Sequence, residues 1–234
     1  MIIVSLTTIT PRLKFIQSTI DSLLNQSMQP DKIILHIPNE YHNYESPTEE
    51  QLASLKGVEI HRCKDYGPAT KLLAMNNFEL DDEDYIIVCD DDRSYEPNMV
   101  LDFVLAQSAN PGKVYSQALW DISDITAGAY SGGGILGGCC GFIIQRRDCP
   151  FHFPELFNGL DSKDAKFYVD DVWLSGWITL NGIDILGMPQ KPEAHRTKND
   201  RICELNERKD FPRLKSNTEC AAWFHKYHNL YKMH

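Results

Sequence analysis

The chain has 234 residues, 42% hydrophobic and 24% charged, which suits one domain or a closely joined pair with a sizeable core. Its formal charge of −10 is uneven: residues 191–234 carry ten basic against six acidic groups, and residues 1–190 carry 13 against 27. The acidic body excludes general nucleic-acid binding, which needs a basic footprint, and no apolar run approaches the ~20 residues that span a bilayer.

The opening MIIVSLTTI reads as a buried strand with no basic leader, so no signal peptide is expected. TPRLKFIQSTIDSLLNQ follows as a predicted helix: Thr10 would cap it, Pro11 suits its first turn, and Leu13, Ile16, Ile20, Leu23 and Leu24 share one face. KIILHIP and VEIHRC are further strands, with a short helix near PTEEQLASL between them. PATKLLAMNNF looks helical, DYIIVCD is a fourth strand, and PNMVLDFVLAQ is a helix with Pro97 at its start. GKVYSQA is a strand, YVDDVWLSGWITLNG a helix, IDILGMP a late strand, and the tail mixes helix and loop. Strands alternating with helices predict an α/β fold with a mainly parallel sheet covered on both faces. Residues 1–118 look like a nucleotide-binding half, and the remainder like an acceptor-side half on the same sheet.

Seven cysteines, without a CxxC pair and with Cys139 beside Cys140, suit free thiols in a reducing, cytoplasmic compartment. The basic tail can meet ligand phosphates or an anionic membrane surface, or simply be a solvated helical face.

Asp90, Asp91 and Asp92 follow an apolar strand whose carboxyl end is where ligands bind on open α/β sheets. Three adjacent carboxylates repel unless a cation neutralises them, and oxygen ligands suit Mg²⁺ or Mn²⁺. The plain structural alternative is a solvated turn with a helix-capping Asp. Strand alternation would turn Asp90 and Asp92 the same way, toward a metal-diphosphate or ribose site, with Asp91 directed elsewhere.

Asp170 and Asp171 fall at a predicted helix start, where carboxylates are also structurally favourable, and Trp173, Trp177 and Leu180 form its core stripe. AGAYSGGGILGGCCGFIIQRR holds seven of the fourteen glycines. It lacks the lysine and spacing of a phosphate loop, so a flexible or closely packed segment beside an acceptor, or a hairpin pair, is expected. His225, His228 and His234 read as surface residues.

VSLTTITPRLKFIQSTIDSLLNQSMQPDKIILHI and YGPATKLLAMNNFELDDEDYIIVCDDD together resemble the GT-A nucleotide-sugar glycosyltransferases, family 2 in particular. The likeness is nearest to small members from algal viruses and related bacterial proteins, and covers most of residues 1–120 plus a motif near residue 170. It implies a single Rossmann-like domain over residues 1–234 and a sugar donor linked to a nucleoside diphosphate, UDP first. The acceptor would be a glycan or other hydroxyl, and the compartment the cytoplasm, or a host's for a viral protein.

By this resemblance Thr7, Thr8, Thr10 and Arg12 line the nucleotide pocket, Lys71 approaches the base or diphosphate, and Asp91 joins the donor site. Asp90 and Asp92 hold Mn²⁺ or Mg²⁺, and His195, after the late strand, is the third metal ligand. Asp171 is the general base of an inverting transfer and Asp170 its neighbour or cap; a retaining transfer is the alternative. The second strand ends in HIPNEY where many members place a base-contacting Asp, which shifts that role to Asp65. Lys71 stands one position from the usual arginine. Two rivals remain at this stage. A sugar nucleotidyltransferase would carry a glycine- and arginine-rich loop after the first strand, where this chain has SLTTITPR. A carbohydrate-binding module would suit ten tyrosines and four tryptophans but needs no acidic metal site.

Overall fold

The computed structural model describes residues 1–149, 164–189, 195–197 and 212–234. In chain order the strands are β1 (Ile2–Thr7), β2 (Lys32–Pro38), β3 (Glu59–Cys63), β4 (Tyr85–Cys89), β5 (Arg93–Ser94), β6 (Val114–Asp121), β7 (Tyr130–Ser131), β8 (Gly134–Gln145), β9 (Ile185–Gly187), β10 (His195–Arg196) and β11 (Lys232–Met233). The helices are α1 (Gln17–Leu24), α2 (Glu49–Ala53), α3 (Thr70–Leu73), α4 (Met99–Ala109), α5 (Ile122–Ile125), α6 (Asp170–Leu180) and α7 (Arg213–His228).

Seven strands build one sheet in the order β3-β2-β1-β4-β8-β6-β9. β3, β2, β1 and β4 are parallel neighbours, β8 is antiparallel to both β4 and β6, and β9 is parallel to β6. The α/β fold expected from the alternating pattern is therefore present, and its sheet draws on both halves of the chain.

Two-residue alternation sorts the strands onto two cores. Ile3, Ile34, Ile86, Val88, Phe142 and Ile144 meet Leu72 of α3, Trp173 of α6 and Phe224 of α7 on one face. Val4, Leu35, Ile87 and Ile143 meet Ile20 and Leu23 of α1 and Phe103 of α4 on the other. Central strands are mostly apolar because both of their faces are covered, with Ser5 of β1 and His36 of β2 among the buried polar residues.

Several local expectations change. The helix expected from residue 10 divides into a 3-10 turn, Thr10–Phe15, and α1. Ile9 takes the extended cap position, while the Thr10 hydroxyl donates to Glu45 O at 2.5 Å, so Thr10 is not the cap. Leu24 is 37% exposed and leaves the buried stripe. The glycine-rich segment is neither a flexible loop nor, in the main, a hairpin: residues 134–145 form the twelve-residue β8 inside the sheet. Close packing explains its glycines, since a Cβ at Gly137 would sit 2.8 Å from Trp120 and from the Ala118 side chain. In the tail, α7 packs on α6. His225 and His228 are half-buried, His225 against Tyr231 O and His228 against Trp177 and Trp223. His234 is exposed, as expected. The described cysteines are all free thiols, and no helix among the described residues is long and apolar enough to cross a membrane.

Candidate functional site

Parallel pairing brings the carboxyl ends of β1, β2, β3 and β4 to one edge of the sheet. A cavity of about 500 Å³ opens there, the size range of small-molecule sites. Thr7, Thr8, Arg12, Asp65, Lys71, all three carboxylates of the triplet, Asp170 and Asp171 line it. Residues as far apart in the chain as Thr7 and Asp171 thus face one space.

β4 ends at Cys89, so the triplet lies in the turn beyond it and strand alternation no longer governs its side chains. Asp91 accordingly does not turn away. It accepts from Thr8 Oγ1 at 2.5 Å and pairs with Arg12 at 2.6 Å. Thr19 Oγ1 donates to the Asp91 backbone carbonyl, and Tyr95 OH binds both the N–H and the carbonyl of Asp90. The turn is thus held by side chains from α1 and from the segment after β5. Asp92 stands 3.5 Å from Arg12 and 3.4 Å from Arg93.

α6 supplies the second acidic group. Asp170 and Asp171 occupy its first turn, Val169 is the cap residue, and no side chain caps it, so Asp170 has no capping role. Asp171 Oδ1 accepts from Gly138 N at 3.1 Å, and its Oδ2 pairs with Arg213 at 3.2 Å. Ser175 Oγ accepts from Leu136 N and donates to Asp171 O, pinning the helix start to β8.

Lys71 joins the two groups. Its ammonium is buried, 2.5 Å from Asp90 and 3.0 Å from Asp170. Burial alone would lower its pKa, but Asp170, Asp90 and Asp171 raise it well above the ordinary value. Gly138 of β8 permits this approach, because a Cβ there would lie 2.6 Å from Lys71 Nζ.

Five carboxylates therefore meet four cations: Lys71, Arg12, Arg93 and Arg213. The balance is unequal across the cluster. Burial pushes Asp90 up, yet Lys71 outweighs it and holds the carboxyl below its usual range. Burial raises Asp91 against the pull of Arg12. Burial and the neighbouring Asp90 and Asp91 push Asp92 up to about 7. Burial and Asp170 push Asp171 up to about 7 as well, against Lys71 and Arg213.

Other expected residues sit differently. Thr7 faces the cavity, but its hydroxyl donates to His36 O; Thr10 does not line the cavity. Asp65 reaches the rim with both oxygens engaged, one accepting from Gly67 N and the other from His42 N and paired with the His42 ring. It orders the loop that carries Gly67 rather than offering an open acceptor to a base. His195 pairs through its backbone with Ser94, and Thr197 N donates to Asp92 O, which brings this segment beside the triplet. The His195 side chain lies outside the described residues, as do residues 191–194 and 198–211 of the tail.

Arg213 and an aromatic wall of Tyr41, Tyr44, Phe167 and Tyr168 were not expected from the sequence. Tyr41 OH donates to Thr8 O, and Asn43 Nδ2 donates to Tyr168 OH, tying the loop after β2 to the segment before α6. Arg213 carried one signal, the excess of basic residues in the tail; the aromatics lie in loops with no repeating pattern.

Asp92 Oδ1 and Asp170 Oδ2 are buried and make no hydrogen bond, although Arg93 Nε lies 3.4 Å from the first and Lys71 Nζ 3.0 Å from the second. Burial and the neighbouring acids push the Asp92 carboxyl up against the pull of Arg12 and Arg93, so its charge is only partly compensated, and oxygen donors suit Mg²⁺ or Mn²⁺. The residues present fit such an ion at Asp92 and Asp90. Comparison with family models and with curated proteins finds no match for this chain.

Proposed function

We propose that the protein is a metal-dependent glycosyltransferase of the GT-A kind, moving a sugar from a nucleoside-diphosphate sugar to a hydroxyl acceptor. One observation carries the reading: two acidic groups, from a strand end and a helix start, converge on one cavity and leave Asp92 Oδ1 buried without a hydrogen bond. The motif order in residues 1–120 supports the same reading.

A divalent cation at Asp90 and Asp92 would supply positive charge against the departing diphosphate. Arg12, beside Asp91 and Asp92, is placed to share the phosphate charge. The aromatic wall offers ring faces to a base or sugar. Asp171 acts as general base. As the acceptor oxygen bonds to the anomeric carbon and the carbon–diphosphate bond breaks, the acceptor proton passes to Asp171. A carboxyl pushed up to about 7 suits this role, because a base works best with a pKa near the working pH. Gly138 N and Arg213 hold its oxygens in place. Inversion is the outcome the resemblance implies for such a base, and a retaining transfer is its alternative. UDP is the first donor nucleotide to test, and the tail's basic residues remain open to ligand phosphates or a membrane surface.

The test is a melting-temperature measurement with uridine or guanosine diphosphate, in manganese and in chelator. A clear rise that needs manganese is expected, and sugar nucleotides should then release free nucleoside diphosphate in the presence of an acceptor. An equal shift in chelator removes the metal role. Release of pyrophosphate instead points to a nucleotidyltransferase, and binding with no release to a carbohydrate-binding module.

A further inference from the structure

A second cluster lies one strand away from the carboxylates and has different chemistry. His36 of β2 and His61 of β3 are register partners, and Cys63 follows His61 on the same face of β3. One ring nitrogen from each histidine and the Cys63 sulfur lie within 4.8 Å of one another. His36 and Cys63 are buried, and His61 is half-buried on the edge strand, so the group is shielded yet reachable from solvent.

The protons of His36 can be assigned. Ser5 Oγ has one hydrogen and donates it to Lys71 O, so it can only accept from His36 Nε2, 2.8 Å away. Nε2 therefore carries the proton, and Nδ1 keeps a bare lone pair aimed at His61 Nδ1, 2.9 Å away. A neutral, oriented imidazole whose far nitrogen is fixed by a hydroxyl is how proteins prepare a histidine to ligate a metal. Phe78 packs edge-on against both rings and limits their rotation.

We propose that His36, His61 and Cys63 form a zinc site, two imidazole nitrogens and one thiolate, with water in the fourth position. Two nitrogens and a sulfur suit zinc and not the hard cations that fit the carboxylate cluster. On binding, the Cys63 thiol gives its proton to solvent. His61 moves its own from Nδ1 to Nε2 through the solvent at the sheet edge, freeing Nδ1 for the metal. The ion clamps β2 to β3, and through His36 and Ser5 it steadies the backbone of Lys71.

Cobalt(II) is the probe, titrated anaerobically into the full chain with a non-chelating reductant. One equivalent should give a tetrahedral spectrum with a thiolate-to-cobalt charge-transfer band, and one equivalent of zinc should abolish it. Cys63→Ser and His61→Ala, each checked for native circular dichroism, should lose the band. Ser5→Ala should weaken binding by about 10- to 100-fold, the usual cost of removing the group that orients a ligating histidine. No band in the parent chain overturns the proposal. So does a band that survives Cys63→Ser, which would place the ion on another thiol such as Cys139 or Cys140. Should Cys63→Ser fail to fold, His61→Ala, changed at a half-buried edge position, decides alone: a retained band overturns the site. Asp92→Asn should leave the band intact, so the zinc site and the proposed transferase activity can fail separately.

Discussion

The strand-end triplet and the helix-start pair border one cavity but respond differently to their surroundings. In the triplet each carboxylate has its own cation environment: Lys71 holds Asp90 down, Arg12 grips Asp91, and Asp92 is left with raised proton affinity and an oxygen without a hydrogen bond. In the pair, Asp171 is raised too, but both of its oxygens are held, by Gly138 N and Arg213. The contrast teaches that one shift can serve two ends. An under-compensated acid with an oxygen in no hydrogen bond is suited to receive a cation. An under-compensated acid with fixed oxygens is suited to receive a proton.

The largest effect that could break this contrast is on transfer. Asp171→Asn keeps the shape and an oxygen for Gly138 N but cannot take the acceptor's proton. Donor binding in manganese should survive, while transfer falls by about 100- to 10,000-fold, the usual contribution of a positioned base. Normal transfer by a folded Asp171→Asn would move the base to Asp170 or favour a retaining reaction. Loss of folding would reduce Asp171 to a helix-start residue.

A second effect falls on stability and tests whether the two groups are one unit. Lys71 is the cation they share, buried between Asp90 and Asp170. Lys71→Met should destabilise the chain by about 3–5 kcal/mol in denaturant titration, because removing one partner leaves buried charge uncompensated. Adding Asp90→Asn or Asp170→Asn to Lys71→Met should each restore part of the loss. Recovery by only one of them would mean that the lysine serves a single group.

The parallel half was legible in the sequence because each strand there is a short apolar run between turn residues. KIILHIP became β2 without a change of boundary, and the triplet's position followed from the end of β4. The other half was less legible. β8 contains four glycines, whose presence usually argues against a strand, and only the close approach of Trp120 and Lys71 to its backbone explains Gly137 and Gly138. The acidic residues of the cavity were visible as adjacent pairs and triplets. Their cations were visible only in part: Arg12 and Lys71 were expected in the pocket, but Arg213 comes from a tail helix with no motif, and the place of Lys71 between the two acidic groups depends on Gly138 making room for it. The His36–His61–Cys63 group was hidden for a related reason. It is formed across two strands by register, and HIP and HRC carry no metal-ligand spacing of their own.

The smallest effect is the sharpest test of what separates the two acids. Asp92 has a pKa of about 7 in the folded chain against an ordinary 3.8. Between those values the folded state holds a proton that the unfolded chain has released. The resulting stability is fully present below about pH 4 and is lost as pH rises through about 7. Above that, the parent carries a buried, poorly compensated charge that Asp92→Asn lacks. In chelator, the melting temperatures of the two proteins should therefore nearly coincide at about pH 4 and below. By pH 8 the variant should be the more stable, by on the order of 1–3 kcal/mol. Asp171→Asn should follow the same pH course, since its carboxyl is raised to a similar value. Manganese divides them. With the ion present at pH 8, the parent and Asp171→Asn should both gain stability. Asp92→Asn, which has lost the anionic oxygen, should gain little, so its advantage over the parent shrinks or reverses. Equal gains in all three proteins would show that the cation binds away from Asp92 and would remove the distinction between the acid that receives a metal and the acid that receives a proton.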